Sequence, residues 1–203
     1  MTPEQWNEAK RHLSRRDAVM RRLVKSHREP ALAARGDAFQ ALARSIVGQQ
    51  ISVKAADSIW ARFAARAGRV TPADVRAIPV EDLRACGFSG QKSAYMLDLA
   101  SRFASGEIKP RRWARLDDEA IVEDLTRVKG IGRWTVEMFL IFHLKRPDVF
   151  PVGDLGLQRA MERQYNDGRA LTRDEMREIG KPWQPYRTAA TWYLWRSLEN
   201  TTA

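Results

Sequence analysis

The chain has 203 residues, 44% hydrophobic and 30% charged, a balance that supports a packed core and excludes a disordered or membrane-embedded chain. Its 35 Lys and Arg exceed its 25 Asp and Glu, a formal charge of +10, so a polyanionic partner is expected: nucleic acid first, an anionic membrane surface as the rival. The single cysteine, Cys86, excludes an internal disulfide framework, a four-cysteine iron–sulfur cluster and a multi-cysteine zinc site, and implies a reducing compartment.

The chain opens Met1-Thr2-Pro3-Glu4 and runs directly into charged helical sequence. No signal-peptide core and no stretch near the ~18 apolar residues of a membrane span is seen, so a cytoplasmic, nucleoid-associated protein without a membrane partner is expected. Apolar residues recur at spacings of three and four throughout, which predicts an all-α fold. Residues 4–27 read as one basic helix with Trp6, Leu13, Val19, Met20, Leu23 and Val24 as its buried stripe. After a link marked by Pro30 and Gly36, helices are expected at 38–47, 52–67, 71–78, 80–86 and 91–105, with Gln49 and Gln50 at the break that follows Gly48. Further helices are expected at 116–128, 133–144, 155–163, 172–179 and 185–198, with 147–153 a loop and Thr201-Thr202-Ala203 frayed. Trp6, Trp60, Trp113 and Trp195 are assigned to the core, and Trp183 is read as a packing anchor.

Between two of these helices lies Lys129-Gly130-Ile131-Gly132-Arg133. Two glycines one residue apart permit a tight turn, and the helix that begins there presents amides suited to a phosphate, with Lys129 and Arg133 adding charge. Taken alone, the same glycines are an ordinary helix cap. Downstream, Phe150-Pro151-Val152-Gly153-Asp154-Leu155 delivers an aspartate to the start of a helix. Asp154 viewed alone is an N-cap, worth ~1 kcal/mol.

The order changes that assessment. Leu125 to Thr135 resembles the helix–hairpin–helix motif of DNA repair proteins. Hairpin, apolar helix and Gly/Pro-Asp loop together resemble the helix–hairpin–helix/Gly-Pro-Asp superfamily of base-excision DNA glycosylases. Ser45-Ile46-Val47-Gly48-Gln49-Gln50-Ile51-Ser52 and Lys181-Pro182-Trp183 extend the likeness over residues 35–196, toward the AlkA-like 3-methyladenine DNA glycosylase II branch, here in a compact form without the N-terminal sheet domain of longer relatives.

The resemblance implies two helical subdomains flanking a cleft: residues 30–146, with the hairpin at about 121–144, and residues 1–29 with 147–203, which carry Asp154 at the cleft edge. It makes Asp154 the catalytic carboxylate; Glu137, three residues after Trp134 on one helix face, is the second choice by spacing, and Asp148, before an apolar pair on the loop, reads as a solvated turn residue. Trp134 and Trp192 become the aromatic faces of the base pocket, beside Glu137 and Met138. Gln50, or its neighbour Gln49, is the side chain that enters the duplex. DNA contacts are expected from Gln49, Gln50, Lys129, Gly130, Ile131, Gly132, Arg133 and Thr135. The carbonyls of Thr126, Val128 and Ile131 would hold a structural Na+ or K+, with no cofactor for catalysis.

In strand-cutting members a lysine follows Gly-x-Gly-x; here that position is Trp134, which has no amine to form a Schiff base. The expectation is therefore a monofunctional hydrolase, acting as a monomer on double-stranded DNA that contains alkylated bases and releasing 3-methyladenine and 7-methylguanine from flipped nucleotides. The alternatives are a non-catalytic helix–hairpin–helix DNA-binding protein and a related glycosylase for mismatched, deaminated or oxidised bases.

Overall fold

A computed structural model describes residues 1–27 and 36–199; Pro30, the division expected at 29/30, and Thr201-Thr202-Ala203 lie outside the described residues. In chain order come α1 (Pro3–Arg16), α2 (Ala18–Ser26), α3 (Ala38–Gly48), α4 (Val53–Ala67), α5 (Pro72–Arg76), α6 (Val80–Ala85) and α7 (Gly90–Ala104). A 3-10 segment (Pro110–Arg115) leads to α8 (Asp118–Thr126) and α9 (Arg133–Phe142), then α10 (Leu155–Tyr165), α11 (Arg173–Gly180), a 3-10 turn (Lys181–Trp183) and α12 (Arg187–Glu199). Every regular element among the described residues is helical, as the apolar spacing predicts. The chain forms two compact units, Met1–Ala33 with Leu140–Ala203, and Ala34–Phe139.

In the first unit Trp6, Leu13, Met20 and Leu23 pack with Leu157, Met161, Met176, Trp183, Tyr193 and Leu194. The single helix expected over residues 4–27 is two, broken at Asp17, whose backbone is extended. Asp17 Oδ1 caps α2 by accepting the Met20 N–H at 3.0 Å. Its Oδ2 accepts from the Tyr165 hydroxyl and from Trp183 Nε1, each at 2.9 Å. Burial and this neighbouring carboxylate push the Tyr165 phenol far above its usual range. Periodicity conceals the break because buried positions continue on both sides of it; the capping aspartate is its one local signal. Trp183 is fully buried, as expected of a packing anchor.

In the second unit the apolar faces of α3 (Phe39, Leu42, Ile46), α4 (Phe63), α7 (Met96, Leu99), α8 (Ile121, Leu125) and α9 (Val136) are buried, together with Trp60 and Trp113. The 3-10 segment before α8 was not expected from the sequence. Trp113 fixes it, meeting Phe139 edge-on at 5.4 Å.

Candidate active site

The turn between α8 and α9 is shaped by close approach. Gly130 has φ +78, and a Cβ there would fall 2.0 Å from the Tyr95 ring, so a side chain is excluded twice over. Helix α7 supports the hairpin further: Asp98 Oδ2 accepts the Lys129 N–H at 2.9 Å and Arg102 Nε at 3.0 Å. The Ile131 N–H donates to the Val128 carbonyl at 3.1 Å. Two of the amides offered to phosphate in the sequence, those of Lys129 and Ile131, are thus already engaged, while Gly130, Gly132 and Arg133 at the start of α9 are exposed.

Two side chains there depart from expectation. Arg133 is not an open cation: Nη1 and Nη2 grip both carboxylate oxygens of Glu119 at 2.8 and 2.7 Å, which holds the Glu119 carboxyl below its usual range. Thr135 is buried, which leaves a phosphate only its backbone. Lys129 is exposed. Thr126, Val128 and Ile131 offer carbonyl oxygens, the hard donors that suit an alkali cation. Val128 O spends one lone pair on Ile131 and retains a second, so these residues fit such an ion. Among the described residues no group of three or more His, Cys, Asp or Glu could hold a metal.

Gln49 and Gln50 separate clearly. Gln49 Nε2 donates to the Gly130 carbonyl at 2.8 Å, tying the end of α3 to the hairpin. Gln50 is exposed at φ +58, a backbone region that non-glycine residues seldom adopt. Lys92 Nζ donates to the Val47 carbonyl at 2.7 Å just before this break, and burial lowers the pKa of its ammonium. On α9, Trp134 is 52% exposed, while Glu137 and Met138 are half-buried.

In the first unit Asp154 is the N-cap of α10. Its Oδ1 accepts the Leu157 N–H at 2.7 Å and Trp195 Nε1 at 2.8 Å. Two donors on one oxygen fix the plane of the carboxylate. Trp195, assigned to the core from sequence, is instead half-buried and serves this aspartate, with Phe142 stacked on it at 5.9 Å. Gly156 leaves the necessary room, since a Cβ there would sit 3.2 Å from Asp154 Oδ1.

The loop before Asp154 is docked on the same helix as Trp195. Asp148, expected to be a solvated turn residue, accepts from Arg187 Nε and Nη2, each at 2.8 Å, with both side chains about a quarter exposed. Thr188 Oγ1 donates to the Arg146 carbonyl at 2.7 Å and accepts the Val149 N–H at 2.9 Å. Thr188 and Trp195 are seven residues apart, two turns of one face, so α12 holds the loop at both ends. Between them Phe150 lies over Gly180 and meets Trp183 edge-on at 5.6 Å. Trp192 is half-buried beneath the Arg196 guanidinium at 5.4 Å. Its Nε1 is buried with no hydrogen-bond partner among the described residues.

Residues 43–185 match the family model described as HhH-GPD superfamily base excision DNA repair protein. The chain belongs to the HhH-GPD superfamily. Among individual relatives, DNA-3-methyladenine glycosylase 1 of Schizosaccharomyces pombe is 36% identical, over 94% of this chain and 86% of that protein. A solved structure of the 3-methyladenine DNA glycosylase of that yeast in complex with abasic DNA is 37% identical, at a TM-score of 0.81, covering 95% of this chain and 97% of that one. DNA-3-methyladenine glycosidase of Bacillus halodurans is 33% identical at a TM-score of 0.86, covering 97% and 89%. Within this HhH-GPD chain, sequence reasoning did not find Trp195, Gly156, Asp98 or Glu119 as parts of the site. For Trp195 a signal existed: it stands three residues after Trp192 on one helix.

Proposed function

We propose that this HhH-GPD protein is a monofunctional DNA glycosylase of base excision repair that hydrolyses the bond between deoxyribose and a flipped, alkylated purine such as 3-methyladenine or 7-methylguanine. The names of the similar yeast and bacterial enzymes support the substrate class. The observation that carries the chemistry is the Asp154 carboxylate, oriented by the Leu157 N–H and Trp195 Nε1 at the head of α10.

An N3- or N7-alkylated purine is cationic, so it leaves as a neutral base with little help. As the glycosidic bond breaks, its electron pair leaves with the base and positive charge develops on the sugar. Asp154 stabilises that charge and directs a water to C1′; the water's proton passes through the carboxylate to solvent, leaving a neutral free base and an abasic site. Trp134 and Trp192 are assigned as aromatic faces for the cationic base, worth ~0.5–2 kcal/mol each, with Glu137 and Met138 as further base-binding residues. Gln50 fills the space vacated by the flipped nucleotide, with Gln49 steadying its loop from the hairpin. Gly130, Gly132, Lys129 and Arg133 bind phosphate, and the carbonyls of Thr126, Val128 and Ile131 would hold a Na+ or K+ that adds positive charge there. With Trp134 where a lyase carries its amine, no Schiff base forms. The protein works as a monomer on nucleoid DNA in the cytoplasm.

A panel of methylated, deaminated and oxidised duplexes tests this. Release of free base from the methylated duplexes alone, with no covalent adduct on borohydride reduction, is the expected result. Tight binding without release of any base would instead make the chain a DNA-binding protein, and a trapped adduct would make it a lyase.

A further inference from the structure

The 3-10 segment Pro110–Arg115 lines a surface cavity of about 490 Å³ with Arg111, Arg112, Arg115 and Leu116. At three residues per turn, Arg112 and Arg115 fall in one line with Arg111 beside them, while Trp113 points the other way and is buried. Trp113 anchors the segment through Phe139 and by donating to Asp124 Oδ2 at 3.3 Å, so the guanidiniums stand on a fixed base. All three arginines are exposed, and among the described residues none has an ion-pair partner. Of the carboxylates that follow, Asp117 accepts the Ala120 N–H at 2.8 Å and Glu119 is held by Arg133. Unneutralised guanidiniums converging on one cavity are a phosphate-recognising arrangement, because each presents a planar fork of donors.

We propose that this arginine cavity is a second DNA-backbone site, which takes phosphodiester groups of the duplex apart from those at the hairpin. It rests on the reading of the protein as acting on DNA. The nine residues of α8 separate the cavity from the hairpin by about 13 Å along the helix axis, a span of a few phosphates along one strand. Both sites belong to the same compact unit. The contacts carry no sequence information; they set how the protein lies on the duplex and how steeply binding depends on salt.

The test is the salt dependence of binding to an undamaged duplex, which requires no base release and so stands or falls separately from the proposed reaction. For Arg111→Gln/Arg115→Gln, the slope of log affinity against log salt should fall in magnitude by about 2, near 0.9 for each phosphate that is no longer neutralised. Arg111→Lys/Arg115→Lys, which keeps the charge, should recover most of that slope. An unchanged slope in the glutamine variant, with an unchanged melting temperature, overturns the proposal. So does an unchanged slope accompanied by weaker binding of inorganic tripolyphosphate, which would make the cavity a site for small anions.

Discussion

At the scale of single residues, the decisive contact is Trp195 Nε1 to Asp154 Oδ1 at 2.8 Å. The Leu157 N–H on the same oxygen is ordinary helix capping and would be present in any aspartate-capped helix. The indole is the specific element, brought by α12 and braced by Phe142. A hydrogen bond to a charged acceptor contributes about 1.5–3 kcal/mol. Trp195→Phe keeps a ring for the stack and removes the donor, so kcat for base release should fall by roughly 10–100-fold, with KM changed by less than about twofold. Single-turnover kinetics beside a thermal melt check this. An unaltered kcat would reduce Trp195 to a packing residue.

At the scale of elements, the hairpin is less cationic than its sequence suggests. Lys129 keeps its charge exposed, but Arg133 is gripped by Glu119 in a pair with 54% and 68% of the two side chains exposed. Such a pair adds little to stability, yet it competes with any phosphate that approaches Arg133. Glu119→Gln should raise affinity for duplex DNA by about threefold and steepen the salt slope by up to about 0.9, as measured by fluorescence anisotropy; no change would mean that Arg133 does not meet phosphate. The pH sense follows from the Glu119 carboxyl, which Arg133 holds below its usual range. The pair is intact above the ordinary carboxylate range and is lost as pH falls through the lowered value, so wild type should approach the variant's affinity only in acid.

The same scale explains what sequence can and cannot expose. Gly130 is legible because a positive φ and a close approach both demand glycine. Asp154 as a helix cap is legible because the cap acts on an amide three residues away. Asp98 bonding Lys129, 31 residues on, leaves no trace in spacing. Arg187 meeting Asp148 across 39 positions leaves none either, and the aspartate therefore reads as a solvated turn. The Asp17 break falls between: its capping aspartate is local, but the apolar stripe continues past it and reads as one helix.

For the whole molecule, a charge of +10 on 203 residues provides attraction to DNA without choice of site, while the HhH-GPD match over residues 43–185 ties that attraction to base excision. The proposed reaction rests on one carboxylate, Asp154, at the end of a loop that α12 pins at both ends. Asp154→Asn retains an oxygen able to accept from Leu157 and Trp195 but removes the negative charge. The most direct measurement is therefore single-turnover release of methylated purines from duplex DNA by Asp154→Asn, with binding of the same duplex followed in parallel. Base release should drop by about 10²–10³-fold while affinity for the duplex is retained; release at a rate comparable to wild type would contradict the assignment of Asp154.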